Sequence, residues 1–272
     1  MKNSGVEIKS IHDIDLSSFD VFRYGGCSKA YLENNCIFKK FRENQSDIKR
    51  TYIYENILEL YKNSKKIDKS EIVLPKTLYV DDEGLLEVQK MDYIKGMCGV
   101  STIRKYYMTK KYYLIVLKLI DLIKKYTKRN FVIEDLKLSN IIIDANFDSH
   151  IIDNDFTTYG EIPNEKIMRS FFVDEYLNKF NDTLDPNYNL FNLYFMVAVL
   201  LLTEEDFKYA MSVKRYPSIE NLKAINYFIQ KDNGIPQLFK VELRKLLVGN
   251  KEISFTEDLK FDICEYILKR SK

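Results

Sequence analysis

The spacing of apolar residues changes once along the chain, and this change constrains the fold most. Residues 21–91 hold short apolar runs separated by turn-forming residues, a pattern typical of β-strands. From about residue 100 onward, apolar residues recur mostly at helical spacing over longer segments. We therefore predict an α+β protein, in which a small strand-rich part with one main helix precedes a larger helical part.

Local signals mark the elements of the first part. Asn34-Asn35 separates two strand-like runs and predicts a tight hairpin. The segment 46–63 has apolar residues at helical spacing behind a capping residue, so it predicts a helix. Two further strands are expected near 72–80 and 85–91.

Charge and composition narrow the function classes. The 272 residues include 42 basic and 40 acidic side chains, a balance that argues against a nucleic-acid binder driven by bulk charge. The longest apolar stretch, Leu190–Leu202, is shorter than the roughly 20 residues that span a bilayer and predicts a buried helix. The polar beginning of the chain and its four scattered cysteines indicate a cytoplasmic protein with free thiols, no membrane span and no zinc motif.

The most informative segment consists of VIEDLKLSNIIID followed by HIIDNDF. Asn140 follows Asp135 in a polar turn, and a returning apolar strand ends at Asp153. We expect this hairpin to bring Asn140 close to Asp153 at one cleft. A carboxylate beside an amide oxygen suits Mg²⁺, and Asp135 could orient or deprotonate an attacking hydroxyl. Lys137 adds a cation that could face phosphate.

A purely structural interpretation is also open. Asp135 and Asn140 are common turn residues, and Asp153 could cap a strand. This interpretation suits each residue alone, but it explains less well why all of them occur at these offsets between two apolar strands.

The same segment resembles the protein-kinase superfamily. EDLKLSN resembles its catalytic loop, H-R-D-L-x-x-x-N, which implies that Asp135 is the catalytic carboxylate, Lys137 a γ-phosphate contact and Asn140 a Mg²⁺ ligand. IIDND resembles the segment that holds the D-F-G motif, which implies that Asp153 is the principal Mg²⁺ ligand.

The sequence departs from both family patterns. Ile133 and Glu134 stand where the family has His-Arg, and Asn154 and Asp155 stand where it has Phe-Gly. Because of these departures, a pseudokinase remains an alternative interpretation. A pseudokinase is a kinase-shaped binding module without transfer activity.

RYGGCSKAYL resembles the glycine-rich loop that covers nucleotide phosphates in this family. The resemblance implies that the backbone N–H groups of Gly25 and Gly26 approach phosphate oxygens. It also implies that Ser28 takes the place of a third glycine and that Ala30 contacts the adenine.

IFKKF resembles the V-A-I-K strand of the family. Strand alternation puts Ile37 and Lys39 on one face, so Lys39 is the predicted phosphate lysine and Lys40 points away. Glu55 in the following helix is the expected ion-pair partner of Lys39, and Glu59 is the alternative.

Two more segments extend the resemblance. MDYIKG resembles the hinge, which implies that Met91 is the gatekeeper and that backbone groups of Asp92 and Ile94 hydrogen-bond adenine. NLFNLYFMVAVLLL resembles the buried helix of the large lobe. Asn189 stands there in place of an aspartate and is expected to hydrogen-bond the catalytic-loop backbone.

The resemblance covers roughly residues 20–200 in family order. It implies one two-lobed protein-kinase-like domain over residues 1–272, with an N-lobe at about 18–93 and a C-lobe at about 97–272. It also implies a transferase that uses ATP and Mg²⁺.

The sequence says less about the phosphate acceptor than about ATP as the phosphate donor. Lys137 and the short segment from Gly96 to Asp135 favour a serine/threonine-protein kinase that acts on an unknown protein hydroxyl. A small-molecule kinase of the same fold is the alternative enzyme.

Overall fold

The computed structural model describes residues 5–24, 28–163, 167, 170–180, 183–212, 219–249 and 253–271. Within these ranges the protein is α+β, because a mixed six-stranded sheet forms in the N-terminal part and helices follow it. The predicted α+β class is therefore confirmed. The chain divides into two compact units, unit 1 with residues 1–95 and 150–159, and unit 2 with residues 96–149 and 160–272.

Unit 1 is built on the six-stranded sheet, in the spatial order β1-β5-β6-β4-β3-β2. Strand β1 is parallel to β5, and the other neighbours are antiparallel. The elements are β1 (Glu7–Ser10), β2 (Asp20–Tyr24), β3 (Ser28–Glu33), β4 (Cys36–Phe41), helix α1 (Asp47–Lys62), β5 (Thr77–Val80) and β6 (Leu86–Asp92).

The rest of the described chain is mostly helical. Its elements are β7 (Met97–Cys98), α2 (Gly99–Tyr106), α3 (Lys110–Lys128), β8 (Phe131–Ile133), β9 (Ile141–Ile143), β10 (Ser149–Ile151), β11 (Thr157–Tyr159), β12 (Ile162–Pro163), α4 (Phe171–Lys179), β13 (Thr183–Leu184), α5 (Asn187–Leu201), α6 (Glu204–Ser212), α7 (Ile219–Lys231), α8 (Gln237–Val248) and α9 (Glu257–Arg270). Strand β11 belongs to unit 1.

The predicted hairpin and the predicted helix of unit 1 both form. Asn34 and Asn35 join β3 to β4 with φ angles of 48° and 59°, the left-handed pair that a two-residue hairpin turn requires. Helix α1 begins behind Ser46, whose side chain accepts a hydrogen bond from the backbone N–H of Lys49. Local sequence chemistry therefore fixes β4 and α1, the two elements that flank the candidate site.

Strand register sorts the side chains of the sheet onto two faces. Opposite residues of antiparallel strands share a face, and Lys39 of β4 lies opposite Ala30 on β3 and Gln89 on β6. Ile37 shares this face by alternation, as predicted. Lys40 lies opposite Val88 on the other face, which carries the apolar cluster Tyr31, Phe38, Tyr79 and Val88.

Helix α5 forms the centre of unit 2. Nearly all of its residues are buried, including Asn189, and it packs against α3, α7 and β8. The apolar run Leu190–Leu202 is thus a core helix, as its length indicates. No helix in the described part of the chain is long and apolar enough to cross a membrane.

Candidate functional site

Lys39 of β4 contacts two aspartates from the turn that follows β10. Its Nζ lies 2.6 Å from Asp155 Oδ2 and also forms an ion pair with Asp153. The Lys39 and Asp155 side chains are 12% and 6% exposed, whereas that of Asp153 is 42% exposed. The predicted phosphate lysine is therefore a largely buried cation between one buried and one accessible carboxylate.

The electrostatic environment keeps Lys39 protonated. Burial lowers the pKa of Lys39, but the charges of Asp155 and then Asp153 more than reverse this effect. The pKa of Lys39 is consequently raised above its ordinary value, and the side chain carries a positive charge at neutral pH.

Asp155 is fixed by contacts from three elements of unit 1. Its Oδ1 accepts a hydrogen bond of 2.9 Å from Gln89 Nε2 on β6, and its Oδ2 contacts Lys39 on β4. Its backbone carbonyl accepts a hydrogen bond of 3.3 Å from Asn56 Nδ2 on α1. Gln89 is only 1% exposed, so this network is held in the interior of unit 1.

The turn that carries both aspartates is clamped by Asn154. Its buried amide donates to the carbonyl oxygens of Val73 and Ile151, and its Oδ1 accepts from the Thr157 hydroxyl at 3.1 Å. Asp153 precedes it with a φ of 60°, a left-handed conformation that Asp and Asn tolerate best among residues with side chains. The turn thereby leaves the Asp153 carboxylate accessible.

The structure does not pair Glu55 with Lys39. Glu55 is exposed on α1, and in the described part of the chain its side chain makes no ion pair or hydrogen bond. Glu59, the alternative, pairs with Lys62 at 2.7 Å. The expected helix glutamate is therefore wrong as the partner of Lys39, because the adjacent helix position, Asn56, is the one that faces the turn.

The other predicted phosphate-loop residues lie on or near β3. Ala30 lies directly opposite Lys39, and Ser28 shares its face of the sheet by alternation. Both side chains are partly exposed. Gly25 and Gly26, the predicted backbone contacts to phosphate, lie outside the described residues.

The predicted hinge begins at the end of β6. Met91 is buried and lies opposite Ile37, so it shares the face of Lys39. The Asp92 carboxylate pairs with Lys76 at 2.6 Å. Among the described residues, no partner hydrogen-bonds the backbone of Ile94.

Three predicted residues meet in the loop of unit 2 between β8 and β9. Asp135 Oδ2 accepts from Lys137 Nζ at 2.7 Å and from Asn140 Nδ2 at 2.9 Å. Asn140 is buried, whereas the Asp135 and Lys137 side chains are 40% and 53% exposed. Because Nδ2 of Asn140 is used to hold Asp135, its Oδ1 is the atom that could bind a cation.

Helix α5 fixes the strand that leads into this loop. Asn189 is fully buried; its Oδ1 accepts from the Ile133 backbone N–H at 2.9 Å, and its Nδ2 donates to the Phe131 carbonyl at 2.6 Å. The Tyr188 hydroxyl donates to the Glu134 carbonyl at 2.9 Å. Asn189 was expected to hydrogen-bond the backbone of the catalytic-loop segment, and its observed partners belong to β8, the strand that leads into the loop.

Replacement of Asn189 by Asp should destabilise the protein although the shape is nearly unchanged. A carboxylate cannot donate to the Phe131 carbonyl, and its charge would be fully buried without a cation. We expect a loss of about 2–3 kcal/mol in unfolding free energy, measured by urea denaturation at neutral pH. Replacement of the exposed Asn146 by Asp is the control, and equal stability of the two variants would contradict the role given to Asn189.

The metal prediction has limited support from the side-chain arrangement. Asn140 and Asp153, the two predicted Mg²⁺ ligands, belong to different units. Among the described residues there is no group of three or more His, Cys, Asp or Glu side chains that could hold a metal ion. Mg²⁺ is commonly bound by only one or two carboxylates together with substrate phosphates and water, so the accessible Asp153 fits a nucleotide-dependent site but not a protein-only cage.

A cavity of about 230 Å³ lies beside the loop of unit 2. Its walls are mostly apolar and include Leu136, Ser139, Phe195 and Leu222, and Lys137 also lines it. Sequence reasoning did not find this cavity, because its walls come from segments that are distant along the chain.

Comparisons with known proteins give no assignment. No protein-family model matches the sequence, and no match is found among curated proteins. The interpretation of the site therefore depends on its residues and their geometry.

Proposed function

We propose that this protein is an ATP-dependent phosphotransferase with a two-lobed protein-kinase-like fold, which uses Mg²⁺ to transfer the γ-phosphate of ATP to a hydroxyl. The observation that carries the proposal is the contact of Lys39 with Asp153 and Asp155. A buried lysine whose pKa is raised, beside an accessible carboxylate, is the kind of pair that can hold a phosphate chain and its divalent cation.

In unit 1, we assign Lys39 to an oxygen of the nucleotide phosphates, as a point charge. Asp153 is assigned as the main carboxylate ligand of the cation. When bound, Mg²⁺ would neutralise charge on the phosphates. Ser28, Ala30, Met91, Asp92 and Ile94 are the described residues proposed to contact the nucleotide, and Gly25 and Gly26, which lie outside the described residues, complete the proposed set.

In unit 2, Asp135 is assigned to the acceptor. It would orient the hydroxyl and take its proton as the oxygen attacks the γ-phosphorus and the bond to the bridging oxygen of ADP breaks. Asn140 and Lys137 both contact the Asp135 carboxylate, so they hold it in position. We propose that Lys137 also offsets charge on the transferring group and that Asn140 Oδ1 is an oxygen ligand for Mg²⁺.

The acceptor that we favour is a protein serine or threonine. Support comes from Lys137, two residues after Asp135, and from the short segment between the hinge and this loop. A small-molecule alcohol is the second candidate, because the cavity of about 230 Å³ beside Lys137 could hold a compact apolar group.

We also propose a cytoplasmic location. The proposed use of ATP and the free thiols of Cys36, Cys98 and Cys264 are consistent with it.

A labelling experiment tests the proposal and separates the two acceptors. The purified protein is incubated with γ-labelled ATP and Mg²⁺, alone, with generic protein substrates, and with a panel of small alcohols. We expect Mg²⁺-dependent transfer to protein, either in cis or in trans, and none from the variant Asp135→Asn. Labelled small alcohols without labelled protein would favour the second candidate, and absence of any transfer with intact nucleotide binding would favour a pseudokinase.

A further inference from the structure

The two aspartates that contact Lys39 differ in how far their side chains are exposed to solvent. Asp155 is 6% exposed, and each of its carboxylate oxygens has a protein partner, Gln89 Nε2 or Lys39 Nζ. Asp153 is 42% exposed and lies two residues away on the same turn. One carboxylate is thus buried in the interior of unit 1, and the other is partly accessible to solvent.

We propose that the two aspartates have different roles. Asp155 is the permanent counter-ion of Lys39, whereas Asp153 is an exchangeable counter-ion that leaves Lys39 when a nucleotide-bound divalent cation binds. This inference rests on the proposed function and adds to it how the site passes from its unliganded to its liganded state. It gives a role to Asp155 and Gln89, two residues to which the resemblance to kinases assigns none.

The energetic argument begins with Asp155. Removing one partner of a buried ion pair leaves an uncompensated charge, which is strongly unfavourable. Asp155 cannot leave Lys39 without also burying an unpaired carboxylate beside Gln89. Asp155 therefore stays in place in both states.

Asp153 can leave because Asp155 remains. Its accessible carboxylate pays little desolvation in exchanging an ammonium group for a hydrated cation, and Lys39 keeps one buried counter-ion throughout. Without Asp155, the same exchange would leave the buried Lys39 with the nucleotide phosphates as its proposed anion but with no protein carboxylate of the present pair. Lys39 would then compete with the divalent cation for Asp153, and more cation would be needed.

The Lys39 ion pairs do not involve a charged side chain of helix α1. The contact that α1 makes to this network is a neutral hydrogen bond from Asn56 to the backbone of Asp155. The exposed Glu55 makes no contact with Lys39. Loss of the Glu55 carboxylate should consequently leave the site unchanged, which makes Glu55→Gln a matched control.

Mg²⁺ titrations of nucleotide binding test the exchange directly. The binding of a fluorescent ATP analogue is followed by anisotropy as the Mg²⁺ concentration is raised, in the wild type, Asp155→Asn, Asp153→Asn, Glu55→Gln, Lys39→Met and the double variant Lys39→Met/Asp155→Asn. We expect Asp155→Asn to raise the half-saturating Mg²⁺ concentration about tenfold, within the range of typical site couplings. In the Lys39→Met background, adding Asp155→Asn should have no such effect, because the competing cation is gone. Asp153→Asn should lose the Mg²⁺ dependence, and Glu55→Gln should match the wild type.

The melting temperatures of the same variants without ligand are a second, independent test. We expect Asp155→Asn to lower the melting temperature much more than Asp153→Asn, and Lys39→Met to offset part of the loss in the double variant. If Asp155→Asn does not fold, folding of the double variant supports the buried pair, and failure of both contradicts it. Equal effects of the two aspartates, or a larger effect of Glu55→Gln, would overturn the division of roles. Absence of ATP binding in the wild type would instead refute the proposed function, while the melting arm still decides whether Asp155 is the permanent partner.

Discussion

Replacement of Asp153 by Asn is expected to reduce Mg²⁺-dependent phosphate transfer by orders of magnitude while the protein stays folded. The amide has nearly the same shape and tolerates the left-handed backbone at φ 60°, so the turn should be preserved. Lys39 keeps Asp155 as its buried partner. The accessible negative charge is lost, and with it the carboxylate proposed to bind the cation. We expect kcat to fall by roughly 10²–10³, the scale of losing one electrostatic group that acts on the reacting phosphate.

The measurement is steady-state turnover of ATP at saturating Mg²⁺, with circular dichroism and a melting curve for each variant. Asp148→Asn is the matched control, because Asp148 is also an exposed aspartate in an ion pair, with Lys118. Its turnover should equal that of the wild type. A fully active Asp153→Asn protein would show that the cation, if required, is held elsewhere.

Lys39→Met and Lys40→Met should differ sharply, although the two lysines are adjacent. Lys39 lies on the face of Gln89 and contacts Asp155, whereas Lys40 lies on the opposite face, opposite Val88. Loss of Lys39 removes the proposed phosphate contact and leaves Asp155 buried without its cation. We expect a loss of kcat of roughly a hundredfold or more and of about 3 kcal/mol in unfolding free energy.

Lys40→Met should change kcat and the unfolding free energy only slightly. Turnover is measured well below the melting temperature of the weaker variant, and stability is measured separately by urea denaturation, so that unfolding is not mistaken for lost catalysis. An inactive Lys40→Met protein beside an active Lys39→Met protein would show that the proposed assignment has the wrong lysine.

Local patterns were sufficient to predict much of unit 1. The Asn34-Asn35 turn fixes the hairpin register through left-handed backbone angles, and that register places Lys39 on one face and Lys40 on the other. The helix over 46–63 follows from its N-cap and its apolar spacing, and α1 (Asp47–Lys62) agrees closely. In each case neighbours in sequence determine the outcome.

The partner of Lys39 could not be predicted in the same way. Asp155 is 116 residues from Lys39 along the chain, and Gln89 is 66 residues from Asp155. Helix spacing did carry a signal, because Asn56 is three residues after the buried Ile53, whereas Glu55 lies on the side of α1 opposite to the buried residues. A further signal was the second aspartate in IIDND.

The loop of unit 2 shows the same limit on a smaller scale. We predicted Asn140 close to Asp153, and the hydrogen bond of 2.9 Å from Asn140 Nδ2 to Asp135 Oδ2 is a contact that was not predicted. The cavity beside Lys137 was not predicted, since its walls combine the loop with residues of α5 and α7. Contacts across long sequence separations require the folded chain.

The most direct measurement is ADP formation from ATP by the wild type and by Asp135→Asn, each with Mg²⁺ and with excess EDTA. Asp135 is held by Lys137 and Asn140 and is assigned the proton of the acceptor hydroxyl. The account predicts Mg²⁺-dependent ADP formation by the wild type and none above background by Asp135→Asn, although both proteins bind the nucleotide. A wild-type protein that binds Mg-ATP but forms no ADP with any protein or alcohol acceptor would contradict it.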